Sequence, residues 1–302
     1  MKSESQFSTP ILFIIFNRPD TTQIVFDQIK KHKPKKLYIS ADGPREDKEG
    51  EKEKCRLTRE VVDQIDWECE VKKLFNDENL GCKMAVSKAI SWFFEFEEQG
   101  IILEDDVVPN KTFFNFCSEL LEYYKNDSNI MHISGNNFFS NRIDIPFSYY
   151  FSIYPHIWGW ATWRRAWKLF DPQITDFPYY KTKGFINEIL INRKEIKYWL
   201  NKFEQVFNNH VDTWDYQWLY TIWKNKGLCI TPVKNLAMNI GFRDDATHTV
   251  NKNSKLAEIP TEEIYKINHP DKKNISENLD RITFREIHYL SIFEKFKIKF
   301  GL

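Results

Sequence analysis

Near the start of the chain lies an unbroken apolar run, Ile11 to Phe16, in which no polar residue alternates with the apolar ones. Such a run is typical of a strand covered on both faces, as in the middle of a parallel sheet. It ends at Asn17-Arg18-Pro19-Asp20, after which we expect a helix from about Thr21 to Lys31. A strand of this kind needs helices above and below it, which favours the α/β class.

Strand and helix patterns continue to alternate through the first half of the chain. Further strands are predicted at Leu37–Ser40, Glu70–Phe75, Ile101–Leu103 and Ile130–Ser134, and helices at Leu57–Gln64, Asn79–Glu98 and Lys111–Lys125. The charged stretch Arg45–Lys54 is expected to be a solvated loop. This order predicts an α/β fold with a mostly parallel central sheet flanked by helices.

The second half of the chain is richer in aromatic residues and less regular. Helices are predicted there at Thr162–Phe170, Phe185–Phe207 and Trp214–Lys226, and a helical tail is predicted near the end. We expect a main domain over residues 1–250, with halves 1–135 and 136–250, and a C-terminal extension over 251–302.

Composition excludes several classes of protein. The chain has 302 residues and a formal net charge of zero, so no overall basic field predicts a nucleic-acid partner. Its five cysteines include no Cys-x-x-Cys pair, which favours reduced packing residues over a zinc site or disulfides. Neither a signal peptide nor a run of roughly 18 apolar residues is visible. A cytoplasmic protein is therefore expected.

Three acids, Glu104-Asp105-Asp106, directly follow the apolar run Gly100–Leu103. Open α/β sheets bind ligands at the carboxyl ends of their strands. A divalent ion held there by one or two carboxylates completes its shell with water and substrate phosphates. The cluster therefore indicates a metal-bridged nucleotide-diphosphate site. The alternative is a solvated loop, or a helix start in which Asp106 and Asn110 cap the next helix.

Two more polar residues follow predicted strands, Arg18 and Asp42. In a parallel sheet their positions converge with the acidic cluster on one crevice. Arg18 could contact a phosphate through its planar guanidinium. Asp42 could accept a hydrogen bond from a base or a ribose. Alternatively each is a turn or cap residue, and Asp42-Gly43-Pro44 is good turn chemistry.

The aromatic half carries further candidates. Trp158 and Trp160, on either side of Gly159, have flat rings that suit the apolar faces of sugars, although tryptophan is more commonly a core residue. Gly159 itself suggests a close backbone approach. Asp215 stands among aromatic side chains that could desolvate it and adjust its basicity. Either Thr213 or Asp212 is expected to cap the helix that follows.

With these residues assembled, the chain resembles bacterial sugar-nucleotide-dependent glycosyltransferases of the GT-A fold, and distantly N-acetylglucosaminyltransferase I. The resemblance covers roughly residues 10–249. It is carried, in chain order, by Asn17-Arg18-Pro19, Ser40-Ala41-Asp42-Gly43, the helix before Ile101, Leu103-Glu104-Asp105-Asp106-Val107-Val108-Pro109, Trp158-Gly159-Trp160, Trp214-Asp215 and Thr247-His248.

The resemblance implies a function and roles for single residues. It implies an inverting transfer of a sugar from a nucleotide diphosphate donor, with UDP favoured, to a glycan or lipid-linked glycan. Asp106 would ligate Mn²⁺ or Mg²⁺ and His248 could join it, while Asp215 would be the catalytic base. The donor would be contacted by Arg18, Asp42, Lys83, Glu104 and Asp105, and the acceptor by Trp158 and Trp160. One departure is Tyr216, where the compared relative has a second aspartate next to the base, so Asp212 and Asp244 are reserve candidates.

Other functions stay open at this stage. A sugar-1-phosphate nucleotidyltransferase generally has a glycine-rich loop after the first strand, and Asn17-Arg18-Pro19-Asp20 has no glycine. A non-catalytic carbohydrate-binding protein and a metal-dependent hydrolase are the remaining rivals. The C-terminal residues Ile287, Leu290, Phe293, Phe296 and Phe300 have helical spacing among lysines. They predict either a solvated helix packed on the domain or peripheral membrane association, as on the inner face of a cell membrane.

Overall fold

The computed structural model describes residues 6–242 and 259–289. The strands of the described residues are β1 Ile11–Ile15, β2 Lys36–Ala41, β3 Glu70–Phe75, β4 Gln99–Glu104, β5 Val107–Pro109, β6 Ile130–Ser134, β7 Tyr149–Ser152, β8 Trp160–Trp163, β9 Leu228–Pro232 and β10 Ala237–Asn239. Their α-helices are α1 Pro19–His32, α2 Glu51–Val61, α3 Gly81–Phe96, α4 Phe113–Tyr123, α5 Arg164–Trp167, α6 Phe177–Thr182, α7 Arg193–Phe207, α8 Asp215–Lys224 and α9 Glu277–Thr283.

Within the described residues, a central sheet of eight strands has the order β3-β2-β1-β4-β8-β6-β9-β7. β1 lies between β2 and β4 and is parallel to both, with Ile11 opposite Leu37 on one side and Ile101 on the other. β7 and β8 run antiparallel to their neighbours. The predicted α/β fold, with a mostly parallel central sheet flanked by helices, is confirmed.

The apolar run that forms β1 supplies a hydrophobic core on each face of the sheet. Leu12 and Ile14 belong to a cluster that includes residues of α3, α7 and α8. Ile11, Phe13 and Ile15 belong to a second cluster, formed with residues of α1 and α4. Because successive side chains of a strand point to opposite faces, a strand buried on both faces has to be apolar throughout.

Two predicted helices differ from the structure. The predicted helix Thr162–Phe170 is wrong over its first residues, because Trp160–Trp163 is strand β8, paired between β4 and β6. One helical turn, α5, follows it. The predicted helix Phe185–Phe207 is interrupted before Arg193, where the Asn192 side chain accepts a hydrogen bond from the amide of Lys194 at 2.8 Å and caps α7.

The charged stretch predicted as a loop contains the start of a helix. α2 begins at Glu51, six residues before its predicted start at Leu57. The Glu51 carboxylate is buried and accepts hydrogen bonds from Arg45 and from the side chain of Asn17 at 2.8 Å. The number of charged residues in a segment does not show that one of them, here Glu51, is buried against partners elsewhere in the fold.

A small second sheet pairs β5 with β10, so that Val108 lies opposite Met238. The sequence did not predict these strands, nor β7 and β9. The amide of Ile240 donates to the carbonyl oxygen of Asp106 at 2.8 Å, which places residues 239–241 beside the acidic cluster.

The described part of the predicted C-terminal extension, residues 259–289, packs back on the sheet. Ile275 bridges to Phe151, and the buried Asp280 of α9 accepts from Ser152 Oγ at 2.5 Å. Residues 290–302, which hold most of the predicted amphipathic tail, lie outside the described residues. Within the described ranges, no helix is both long and apolar enough to cross a membrane.

Candidate active site

A cavity of about 380 Å³ opens at the carboxyl ends of β1, β2 and β4. Its size is within the usual range for small-molecule sites. Predicted site residues that line it are Arg18, Asp42, Glu104, Asp105, Asp106, Trp158 and Asp215. The convergence of strand ends expected from the sequence is confirmed. His248 and Asp244 lie outside the described residues.

The acidic cluster forms the turn between β4 and β5. Arg18 bridges two of its carboxylates, with Nη2 at 2.9 Å from Asp105 Oδ1 and Nη1 at 2.9 Å from Asp106 Oδ2. The backbone amide of Phe16 donates to Asp105 Oδ2 at 3.0 Å. These side chains are largely shielded from solvent, at 17% exposure for Arg18, 4% for Asp105 and 10% for Asp106.

Asp106 does not cap the next helix. Asn110 performs that role, because its side-chain oxygen accepts from the amides of Thr112 at 2.9 Å and Phe113 at 3.1 Å. The acidic cluster is not a solvated loop either, since Asp105 and Asp106 are buried. The solvated-loop alternative is therefore wrong, and the helix-start alternative holds for Asn110 but not for Asp106.

Burial and mutual repulsion shape the charge of this site. Burial raises the pKa of Glu104 to about 8, and the nearby carboxylates of Asp106 and Asp105 act in the same direction. Burial also raises the pKa of Asp105 to about 7, although the Arg18 guanidinium opposes the shift. For Arg18, burial alone would lower the pKa, but Asp105 and Asp106 more than offset it and hold the pKa above its ordinary value. Burial and mutual repulsion therefore disfavour the fully charged form of this cluster unless a cation such as Arg18 lies beside it.

Gly241 packs directly against the acidic pair. A Cβ atom on this residue would lie 2.1 Å from Asp106 Oδ2 and 3.0 Å from Arg18 Nη1. The Gly241 amide donates to Asn239 Oδ1 at 2.7 Å, and Asn239 lines the cavity. Neither Asn239 nor Gly241 was predicted as a site residue from the sequence. Asn239-Ile240-Gly241 follows the short apolar segment Leu236–Met238, and this local pattern alone does not indicate a site. The pairing of β10 with β5 brings these residues next to Asp106.

Asp42 lines the cavity and also organises the loop before α3. Its carboxylate accepts from Asn79 Nδ2 at 2.9 Å, from Asn76 Nδ2 at 3.2 Å and from the Leu80 amide at 3.1 Å. Asn79, which the sequence analysis did not select, lines the cavity beside it. The turn interpretation and the predicted ligand contact are therefore compatible for Asp42, and the contact stays a prediction.

Asp215 is the first residue of α8 and is half-buried on the cavity wall. Its Oδ1 accepts from the Tyr216 amide at 2.9 Å and from the Thr213 hydroxyl. Its negative charge contributes to the raised pKa values of Glu104 and Tyr216, so it is electrostatically coupled to both neighbours. Asp215 thus faces the same space as the acidic cluster.

Asp212 caps a helix distant in sequence, and not the one that follows it. Its carboxylate accepts from the amides of Cys82 at 3.1 Å and Lys83 at 3.2 Å, at the start of α3. Lys83 Nζ donates to Asn209 Oδ1 at 2.9 Å, in the same α7–α8 loop. Lys83 is not among the residues that line the cavity, so in this structure it fastens the loop and its predicted donor contact stays untested.

The two candidate tryptophans occupy different environments. Trp158 is half-buried on the cavity wall, with Phe138 at 4.9 Å and Phe242 at 5.6 Å between ring centroids. Trp160 is fully buried between His132 and Trp214. The acceptor role predicted for Trp160 is therefore replaced by a packing role, because its ring offers no accessible face.

Gly159, between the two tryptophans, has a φ of 66°, a conformation that favours glycine. A Cβ there would lie 3.3 Å from Leu103 and from Val107. The close backbone approach predicted from the sequence is confirmed.

Comparison of the sequence with protein families and with curated proteins gives no match. Among solved structures, the glycosyltransferase GlyE of Streptococcus pneumoniae TIGR4 is 12% identical, with a TM-score of 0.35 over 73% of this chain and 45% of that one. Mouse xyloside xylosyltransferase 1 is 10% identical, with a TM-score of 0.35 over 71% and 81%. HddC from Yersinia pseudotuberculosis is 9% identical, with a TM-score of 0.31 over 52% and 77%. Similarity this low establishes neither a family nor an activity.

Proposed function

We propose that this protein is a metal-dependent glycosyltransferase that moves a sugar from a nucleotide diphosphate donor, with UDP favoured, to a hydroxyl of a glycan acceptor. The observation that carries the proposal is that one cavity is lined by two kinds of carboxylate. Asp105 and Asp106 form a buried acidic pair bridged by Arg18, and Asp215 is a separate, half-buried carboxylate. The first suits a metal and its diphosphate, and the second suits a base. The resemblance found in the sequence assigns the same roles to the same residues.

The acidic pair fits a hard divalent ion. Within the described residues, no group of three or more His, Cys, Asp or Glu side chains is arranged to hold a metal. Mg²⁺ and Mn²⁺ need only one or two protein carboxylates, because water and substrate phosphates complete their coordination. Asp106 would hold the ion with help from Asp105, and His248 is a further candidate outside the described residues. When bound, the ion would neutralise charge on the departing diphosphate.

Asp215 is suited to general-base catalysis. The acceptor hydroxyl gives its proton to Asp215 while its oxygen forms a bond to the anomeric carbon of the donor sugar. The bond from that carbon to the diphosphate oxygen breaks on the opposite face, and its electron pair leaves with the nucleoside diphosphate. The configuration at the anomeric carbon is therefore inverted. Trp158, on the cavity wall, would pack against the acceptor sugar.

The test is release of nucleoside diphosphate and transfer of sugar by purified variants. Asp215→Asn removes the base, so kcat should fall by about 100-fold or more while the donor still binds. Asp106→Ala should abolish the metal dependence of donor binding and most activity. Asp66→Asn, an exposed carboxylate paired with Lys30, is the matched control and should behave as the unmodified protein. Near-normal kcat in Asp215→Asn would show that the base lies elsewhere.

A screen of nucleotides identifies the donor class. Thermal unfolding would be followed with UDP, GDP and CMP, each with and without Mn²⁺. A ligand that binds only the folded state raises the melting temperature. Stabilisation by UDP only when Mn²⁺ is present is the expected result. Binding of glycans without any nucleotide response would instead favour a carbohydrate-binding protein that transfers nothing.

A lipid-linked acceptor would place the protein at a membrane surface. The amphipathic pattern that begins at Ile287 is the candidate contact, and most of it lies outside the described residues. Flotation with anionic liposomes, comparing the full chain with a chain ending at Tyr289, tests this part of the proposal. Equal failure of both chains to float would remove the membrane contact and leave the transferase proposal intact.

A further inference from the structure

Arg18 occupies the position that the metal proposal gives to a cation. Its two terminal nitrogens lie 2.9 Å from Asp105 Oδ1 and 2.9 Å from Asp106 Oδ2, so one guanidinium bridges both carboxylates and offsets part of their negative charge. A guanidinium stays charged in proteins and forms its strongest contacts with paired oxygens. The negative charge of the acidic pair is therefore already offset in part by the chain itself.

A divalent ion at Asp106 Oδ2 would compete with Arg18 for that oxygen. Asp106 Oδ2, the oxygen bound by Arg18, is also the atom against which Gly241 packs, since a Cβ on Gly241 would lie only 2.1 Å away. The same Cβ position lies 3.0 Å from Arg18 Nη1, so Gly241 and Arg18 together crowd this oxygen. Two positive charges at one buried carboxylate repel each other strongly where water is scarce. A metal bound through Asp106 Oδ2 would therefore displace Arg18 from that oxygen.

The departing guanidinium needs another anion. Arg18 lines the cavity and retains 17% exposure of its side chain, so it borders the space that a diphosphate would fill. The planar fork of arginine binds phosphate oxygens as well as carboxylates. A diphosphate would thus supply the partner that Arg18 loses to the metal.

We propose that Arg18 is an internal counter-ion that blocks the metal site until a nucleoside diphosphate draws it away, so that metal and nucleotide bind cooperatively. The inference rests on the proposed function and specifies how its site is regulated. By linkage, Arg18 must weaken metal binding in the absence of nucleotide and strengthen nucleotide binding. These opposite effects distinguish a counter-ion from a residue that merely supports the fold, whose loss would weaken both.

The experiment measures Mn²⁺ binding by electron paramagnetic resonance, and UDP binding by calorimetry, in the full-length protein. Arg18→Gln should bind Mn²⁺ alone about tenfold more tightly than the unmodified protein, within the usual range of coupling between two sites. It should also bind UDP alone more weakly, and the gain in Mn²⁺ affinity produced by UDP should shrink. Arg18→Lys keeps the charge but not the fork, and should fall between the two.

Arg45→Gln is the matched control for charge. Arg45 lines the same cavity, but it is paired with Glu51 and not with the acidic cluster. Its removal should leave Mn²⁺ affinity within about twofold, since Arg45 forms its ion pair with Glu51 and an exposed charge without direct contact has a weak, salt-screened effect. An equal gain from Arg45→Gln and Arg18→Gln would overturn the inference, because the effect would then be general electrostatics.

Failure of the inference differs from failure of the proposed function. If the unmodified protein binds Mn²⁺ with UDP but Arg18→Gln gains nothing for Mn²⁺ alone, Arg18 is not a counter-ion and the transferase proposal stands. If the unmodified protein binds no Mn²⁺ even with UDP, the metal role and this inference both fail. Arg18→Gln could fold poorly without metal, and its melting temperature would then be measured with and without Mn²⁺. A larger increase with Mn²⁺ than Arg18→Lys shows supports the inference. No increase contradicts it.

Discussion

Gly241 is a position where a single added methyl group would disturb the candidate site. The Cβ of Gly241→Ala would lie 2.1 Å from Asp106 Oδ2, so either the carboxylate or residues 239–241 would have to move. Overpacking of this kind typically costs about 1 to 3 kcal/mol. We expect a lower melting temperature and loss of the Mn²⁺-dependent stabilisation by UDP. Differential scanning fluorimetry measures both, and an unchanged response to the nucleotide would show that the contact is not needed.

Asp280 is a buried carboxylate outside the cavity that should make stability depend on pH. Burial raises its pKa to about 7, although the hydrogen bonds from Ser152 and the Ile153 amide oppose the shift. The folded state therefore holds a proton that the unfolded chain releases near its ordinary pKa, about 4. Stability is lost as pH rises between these two values, and the loss persists above pH 7.

Asp280→Asn should remove this dependence. Between pH 5 and pH 8 the free energy of unfolding of the unmodified protein should fall by about 2 to 3 kcal/mol relative to the variant. Urea denaturation at pH 5, 6.5 and 8 measures the difference, and the comparison cancels other groups that titrate in both proteins. Parallel profiles for the two proteins would show that Asp280 titrates normally in the folded state.

At the scale of elements, the start of α3 depends on a carboxylate from the α7–α8 loop. Asp212 accepts from the amides of Cys82 and Lys83, at sequence separations of 130 and 129 residues. Loss of a helix cap typically costs about 0.5 to 2 kcal/mol, and asparagine caps nearly as well as aspartate. Asp212→Ala should therefore destabilise the protein by about 1 kcal/mol, while Asp212→Asn should stay close to the unmodified protein.

The same pair of variants tests the reserve assignment of Asp212 as the base. The loop that Asp212 fastens also carries Asp215, so Asp212→Ala should lower kcat through misplacement of Asp215. Asp212→Asn keeps the cap and should retain most of kcat, unlike Asp215→Asn. Steady-state kinetics decide between the two residues, since a severe loss in Asp212→Asn would make Asp212 the base.

The sequence predicts features that depend on neighbouring residues better than features that depend on residues far apart in the chain. β1 and α1 were predicted closely because apolar runs and helix starts are local patterns. Arg18, Asp42 and the acidic cluster could be placed together because parallel strands share an edge. The Asp212 cap and the β5–β10 pair join residues more than a hundred positions apart, and no local pattern specifies them. Trp160 was misassigned because the burial of β8 depends on pairing with both β4 and β6.

Across the whole molecule, the two edges of the central sheet are protected in different ways. The β3 edge carries charged residues such as Glu70, Lys72 and Lys73, which oppose pairing with another chain. The β7 edge, Tyr149–Ser152, is fully buried and mostly aromatic. Residues 259–289, called here the C-terminal return, cover this edge through the bridge between Ile275 and Phe151. The return therefore protects an edge that has no charges of its own.

Removal of the return should expose that edge. A chain ending at residue 258 loses the Ile275 bridge, the buried Phe284 and the hydrogen bonds of Asp280 to β7 and its following residue. We expect a loss of about 4 kcal/mol or more in unfolding free energy, since several buried contacts disappear together, and concentration-dependent aggregation through β7. Urea denaturation and light scattering measure the two effects. A chain ending at Tyr289 keeps these contacts and should stay monodisperse, so aggregation of both chains alike would locate the protection elsewhere than in residues 259–289.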